Sequence, residues 1–222
     1  MKPLAWARRL KHRLRRRADP SALDLTGDRQ IVWSFVAGHI PDGGRLALDF
    51  GCGNAPLALV AALKGYQVLA IDLQPVQWST ESPLITFVQA DINAFDFGGR
   101  RFDVILNCST VEHAGLAGRY GSSNDPDADL KAMVRLRQLL APAGRMLLTI
   151  PVGQDMVCAP LHRIYGSARL PQLLAGYRLE HAEFWMKRAG RNVWVTAPEL
   201  EAQAVVGSPA FYALGLFVLA AA

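Results

Sequence analysis

The segment Leu46-Ala47-Leu48-Asp49-Phe50-Gly51-Cys52-Gly53-Asn54-Ala55-Pro56 constrains this chain more than any other. An apolar run ends in two glycines spaced two apart, and a second apolar run, Ala55–Lys64, follows before Gly65. The first run reads as a buried strand and the second as a helix. Glycine at such a turn answers two demands. The backbone needs angles that side chains forbid, and a ligand must come close to the main chain. In open α/β sheets, a turn of this kind at the carboxyl end of a strand opens the crevice where ligands bind.

The same alternation continues along the chain. Asp28–Ile40 reads as a helix with Ile31, Val32, Phe35 and Val36 on one side. Strands are predicted at Arg45–Phe50, Tyr66–Ile71, Leu84–Gln89, Phe102–Asn107 and Arg145–Ile150. Leu130–Leu140 has helical periodicity and is expected to stop at a turn, Pro142-Ala143-Gly144. Beyond Pro151, a short helix is expected at Pro171–Leu174, with strands at Arg178–Met186 and Leu214–Leu219. Strands alternating with helices predict an α/β, Rossmann-like, mostly parallel sheet with helices on both faces. Residues 19–222 contain no repeat and no low-complexity linker, so one domain is expected there.

Charge is unevenly placed. Residues 1–17 hold eight of the 24 Lys and Arg and none of the 19 acids, so the formal net charge of +5 comes from a basic arm, residues 1–18. Trp6, Leu10 and Leu14 give that arm a narrow apolar stripe. It is expected to be a solvated tail, or a helix lying on an anionic membrane surface. Nucleic-acid binding is disfavoured, because the basic run lacks base-stacking aromatics. Cys52, Cys108 and Cys158 match no zinc spacing and no disulfide framework, so no metal ligands are assigned. No apolar stretch follows the N-terminal charges as a secretory signal would need. Phe211–Ala222 is too short to span a bilayer and reads as a buried final strand. A cytoplasmic chain, peripheral at the inner membrane face if the arm binds there, is expected. Oligomeric state is left open.

The glycine loop selects among nucleotide cofactors. Pro56 breaks the G-x-G-x-x-G/A dinucleotide pattern, and no G-x-x-x-x-G-K-[ST] segment exists. Asp49, two residues before the first glycine, suits an ammonium-bearing ligand better than a pyrophosphate. S-adenosyl-L-methionine (SAM) carries an ammonium and a sulfonium and no phosphate. Asp72 ends the second strand, where a carboxylate accepts from ribose hydroxyls. Asp91 ends the third, within reach of an adenine amine. With Gly51, Cys52, Gly53, Leu73, Ile92, Asn107 and Cys108 these form the expected cofactor set.

Asp49–Pro56 together with Asp72 and Asp91 resembles the class I SAM-dependent methyltransferases, over about Gly44 to Pro151. The resemblance implies a seven-stranded sheet whose last strand is antiparallel, with Phe211–Ala220 the candidate for that strand. The downstream segments Glu112-His113-Ala114-Gly115-Leu116-Ala117-Gly118-Arg119-Tyr120-Gly121, Pro151-Val152-Gly153-Gln154-Asp155 and His162-Arg163-Ile164-Tyr165-Gly166 resemble one branch of that superfamily, long listed as a domain of unknown function. Bacterial members of the branch suggest a glycan-linked acceptor in surface-polysaccharide biosynthesis. Glu112-His113 is similar to the acid–histidine pair of small-molecule methyltransferases, and the Asn/Asp-Pro-Pro-aromatic motif of base-modifying enzymes is not there.

Methyl transfer to a hydroxyl needs an aligned acceptor and a base. His113, assisted by Glu112, and His162 are the candidate catalytic residues, since imidazole titrates near neutrality. Arg119, Arg163 and Arg169 are candidate anion clamps, and Tyr120 and Tyr165 candidate stacking partners for a sugar ring. Gly115–Ala128 is expected to be an ordered lid. The expected function is O-methylation of a small-molecule or glycan-linked acceptor. Its rivals are a non-catalytic SAM-binding module of the same fold and a membrane-surface scaffold.

Overall fold

The computed structural model describes residues 27–54, 56–78, 82–118, 120–121, 124–188 and 193–222. The basic arm, residues 1–18, and Arg119 lie outside the described residues. Helix α1 (Arg29–His39) leads into strand β1 (Leu46–Phe50), helix α2 (Leu57–Leu63), β2 (Gln67–Asp72), β3 (Ile85–Gln89) and β4 (Phe102–Cys108). A single 3-10 turn, Val111–His113, precedes helix α3 (Ala128–Leu139) and β5 (Leu140–Val152). Then come a small hairpin, β6 (Met156–Cys158) and β7 (His162–Ile164), and helix α4 (Arg169–Leu173). The chain closes with β8 (Tyr177–Lys187), β9 (Trp194–Thr196), helix α5 (Glu199–Gln203) and β10 (Ala213–Ala221).

The main sheet runs β3-β2-β1-β4-β5-β10-β8-β9. β1 to β5 are parallel, and β10 is antiparallel to both its neighbours, β5 and β8. The order is that of a Rossmann-like sheet with a late antiparallel strand. The expected strand count of seven is corrected to eight. Three-residue β9 pairs antiparallel to the outer edge of β8 and is too short to leave a periodic signal.

Alternation along the strands builds two cores. Leu48, Leu69, Ile105, Leu148 and Phe217 face a layer containing Met133 and Leu136 of α3. Ala47, Val68, Leu106, Leu147 and Leu216 face the layer of α1 and α2, including Val32, Val36 and Ala61. Both faces are therefore covered, as a parallel sheet requires. Among the described residues no helix is long and apolar enough to cross a membrane.

One boundary differs from expectation. Pro142-Ala143-Gly144 does not close a helix ahead of a strand starting at Arg145, because β5 already begins at Leu140. Leu140 pairs with Phe102 and Arg145 with Val104, so these residues form a bulge inside the strand. Gly144 is required there, since a Cβ would sit 2.6 Å from the Phe102 carbonyl oxygen.

A buried ionic cluster fastens the region after β5 to the start of α3. Asp129 is fully buried and accepts from Arg169 Nε (2.9 Å), Arg169 Nη2 (2.5 Å) and the Tyr165 hydroxyl (3.1 Å). Arg163 Nε lies 3.7 Å from the same carboxylate, and its Nη2 donates to the Asp125 and Pro126 carbonyls. Asp155 caps the adjoining turn by accepting the Gly166, Ala168 and Arg169 N–H groups. Removing one partner of a buried pair strands the other charge, at a cost of roughly 3 kcal/mol or more. Asp129→Asn is therefore expected to lower unfolding stability by about 3 kcal/mol in urea titrations. Asp127→Asn, at a side chain 58% exposed, should change it by less than about 1 kcal/mol.

Candidate active site

The loops at the carboxyl ends of β1 to β4 enclose a cavity of about 1030 Å³. At Gly51 the chain takes φ +68°, and an added Cβ would lie 2.0 Å from the Thr110 methyl. Gly53 takes φ +46°, with open space where a side chain would stand. The loop is pinned from outside. Gly51 N–H donates to the Ile71 carbonyl (2.8 Å), Gly53 N–H to Asp72 Oδ2 (2.9 Å), and Trp78 Nε1 to the Gly53 carbonyl (2.9 Å).

Gly51, Cys52, Gly53, Asp72, Leu73, Asp91, Ile92 and Cys108 all line the cavity. Asp72 Oδ1 also accepts the Gln74 N–H, and Asp91 Oδ1 the Asn93 N–H, so each acid shapes its own turn. A carboxylate offers about four acceptor positions, which leaves capacity for a ligand's hydroxyls or amine. Burial pushes the Cys108 thiol up to about 12 and raises that of Cys52 further, so both stay protonated at neutral pH.

Two members of the expected cofactor set stand behind the wall. Asn107 is fully buried, and its Oδ1 accepts the Val111 N–H (3.2 Å), which sets the 3-10 turn. Asp49 is 2% exposed and lies beneath the loop; the Ala58 N–H bonds its carboxylate, while Oδ2 has no hydrogen-bond partner. Burial, with a smaller push from Asp72, raises Asp49 to about 7. An orphaned, buried carboxylate oxygen under a glycine loop fits a ligand with a cationic end. Together with Asp72, Asp91, Leu73 and Ile92, the residues present fit SAM.

The same cavity is lined by Glu112, His113, His162 and Tyr120. His113 Nδ1 faces the Leu161 carbonyl and so carries the ring hydrogen, which makes Nε2 the acceptor nitrogen of the neutral ring. That nitrogen lies 3.8 Å from Glu112 Oε1. The His113 ring contacts Tyr120 (5.1 Å between centroids) and His162 (6.4 Å), and His162 contacts Tyr212 (5.2 Å).

Arg163, Tyr165 and Arg169 do not line the cavity, contrary to the expectation of acceptor clamps and a stacking ring. Their polar groups are turned to Asp129 and to the carbonyls of Ala114, Asp125 and Pro126. Sequence reading missed Asp28, Arg29, Trp33 and Tyr212, which also line the cavity. Tyr212 donates to Asp28 Oδ2 (2.8 Å) across 184 positions, a separation at which no local pattern signals a contact.

The chain takes the fold of the class I SAM-dependent methyltransferases. It belongs to the family described as "Caenorhabditis protein of unknown function, DUF268", whose model matches residues 55–208. A ubiquinone biosynthesis O-methyltransferase of Cereibacter sphaeroides is 30% identical over 139 residues, 58% of this chain and 51% of that protein. The chain thus spans about half the length of the curated relatives of that kind. EEF1A lysine methyltransferase 4 of Mus musculus is 26% identical over 211 residues, 86% of this chain and 78% of that protein. The fold matches the 1,6-didemethyltoxoflavin-N1-methyltransferase of Burkholderia thailandensis, a structure with bound S-adenosylhomocysteine. The TM-score is 0.58 and the identity 20%, over 100% of this chain and 93% of that one.

Asp49 makes stability depend on pH in an unusual direction. Its folded pKa of about 7 lies above the unfolded value near 3.9, so the folded chain holds this proton more tightly. Its burial is harmless below about pH 4, costs progressively more as pH rises to about 7, and stays costly above that. Asp49→Asn is expected to remove this component. Without ligand, the variant should gain on the wild type between pH 4 and 7 and exceed its stability above pH 7 by on the order of a few kcal/mol, read by urea unfolding across pH.

Proposed function

We propose that the chain binds SAM through the glycine loop and transfers its methyl group to a hydroxyl of a small-molecule or glycan-linked acceptor. The observation that carries this reading is one cavity lined by a glycine loop, the carboxylates Asp72 and Asp91, and the adjacent Glu112-His113 turn. When bound, SAM supplies a methyl carbon made electrophilic by the sulfonium. Asp72 and Asp91 would hold the nucleoside, and Asp49 would meet the cationic end from beneath the loop. His113 Nε2 would take the acceptor's hydroxyl proton as oxygen attacks, and Glu112 would stabilise the resulting imidazolium. The Leu161 carbonyl keeps the ring in the required tautomer. His162 lies against His113 and Tyr212, and orients that ring.

Support for a hydroxyl-rich acceptor comes from the wall composition. Trp33, Tyr120 and Tyr212 offer ring faces, and Asp28, Arg29 and Glu112 offer hydrogen-bonding groups. Gly115, Tyr120, Asp125, Leu161 and His162 line the same cavity, which suits a small acceptor group better than a nucleic-acid base held in a duplex. A place in bacterial surface-polysaccharide assembly, in the cytoplasm and near the membrane through residues 1–18, belongs to the same reading.

Calorimetry with S-adenosylhomocysteine is expected to give one site, weakened about 10- to 100-fold by Asp72→Ala through loss of charged hydrogen bonds. A folded chain that binds neither SAM nor S-adenosylhomocysteine would sink the proposal. With labelled SAM and hydroxylated acceptors, His113→Gln is expected to lower kcat about a hundredfold to ten-thousandfold, with cofactor binding retained. Binding without turnover on any acceptor would favour a non-catalytic module. Sedimentation with anionic liposomes should weaken on deletion of residues 1–18; unchanged binding would remove the membrane role.

A further inference from the structure

At the opposite end of α1 from the cavity, His39 closes the helix beside His181 and Glu183 of β8. Two histidines and a carboxylate each offer a ligand atom there, all within 4.8 Å of one another. We propose that His39, His181 and Glu183 bind a divalent transition-metal ion, zinc by the chemistry of the donors, which fastens α1 to β8.

Three features favour a built site over a chance surface cluster. His39 Nδ1 is held by the Phe35 carbonyl (2.9 Å), which fixes Nε2 as the coordinating nitrogen. Glu183 Oε2 accepts Trp185 Nε1 (3.3 Å), while Oε1 lies 3.0 Å from His181 Nε2. Metal-binding histidines and carboxylates usually have their second polar atom engaged in this way, which orients the first. Third, the two imidazole centres are 5.3 Å apart. Rings sharing a tetrahedral ion, with metal–nitrogen bonds of about 2.05 Å, have centres about 5 Å apart. Two imidazoles and one carboxylate leave a fourth position for water, a donor set that zinc accepts and magnesium or calcium does not favour.

The placement gives the ion a purpose. Asp28 and Arg29 line the cavity at the other end of α1, ten residues or about 15 Å away along the helix. Fastening His39 to β8 holds this wall against the sheet. His39 and His181 are 142 positions apart, so no ligand-spacing motif announces the site.

The test is titration of the full chain with Zn2+ against a chelating indicator, and with Co2+ by absorption. One equivalent is expected, with cobalt d–d bands of a nitrogen–oxygen site and no sulfur charge-transfer band. His39→Ala and His181→Ala should each lose that equivalent, with S-adenosylhomocysteine calorimetry confirming that the variants are folded. Trp185→Phe, which keeps all three ligands, should weaken binding at least about tenfold through loss of the Glu183 contact. Saturating Zn2+ should raise the wild-type Tm by about 5 °C and leave both histidine variants unmoved. Absence of binding would overturn the proposal. So would binding that survives both histidine substitutions, or a thiolate signature pointing to the cysteines.

Discussion

The close approach of Gly51 to Thr110 joins the two halves of the site. The end of β1 must turn at φ +68° while the chain leaving β4 passes where a Cβ would stand. Thr110 Oγ1 then donates to the Gly51 carbonyl (3.3 Å). The cofactor loop after β1 and the Glu112-His113 turn after β4 are thereby set side by side, because β1 and β4 are neighbours in the sheet. A side chain at Gly51 would push these two turns apart. Ser109, at φ +52°, takes up part of the same constraint and is held by Thr149.

The second organising element is the carboxylate of Asp129. It is buried where an unpaired charge would be very costly, and it is matched by Arg169, Arg163 and the Tyr165 hydroxyl. Arg163 also donates to the Ala114 carbonyl, and Gly115, at φ +70°, packs where a Cβ would strike the Asp125 carbonyl oxygen. Ala114 and Gly115 are thus tied to Asp125 and Pro126 through Arg163 and a direct backbone contact. Of the residues that carry the branch resemblance, Arg163 and Tyr165 therefore brace the structure from behind, while Glu112, His113, Tyr120 and His162 line the cavity itself.

Asp49 stands apart from these satisfied groups. The sheet face beneath α2 is otherwise filled by Ala47, Val68, Ala70 and Leu106, and small residues of α2 bring that helix close. An orphaned carboxylate oxygen in this layer weakens the free protein. Its retention is understandable if a cationic ligand above the loop restores what burial takes away.

Local spacing made much of this legible in the sequence alone. Short apolar runs separated by helical runs determined a parallel sheet covered on both faces. Glycines two apart after a strand determined a ligand-approached turn, and Asp72 and Asp91 fell at strand ends where such a turn needs them. These features depend on neighbours along the chain, so a linear reading finds them. Only the tertiary structure decided which polar residues point where. Arg163, Tyr165 and Arg169 read as acceptor groups, yet they turn inward to Asp129. Tyr212 and Asp28 complete the cavity, and His39 meets His181, across separations that leave no periodic trace. A charged side chain's partner is set by three-dimensional packing and the cost of burying it unpaired, and neither is written in the spacing of residues.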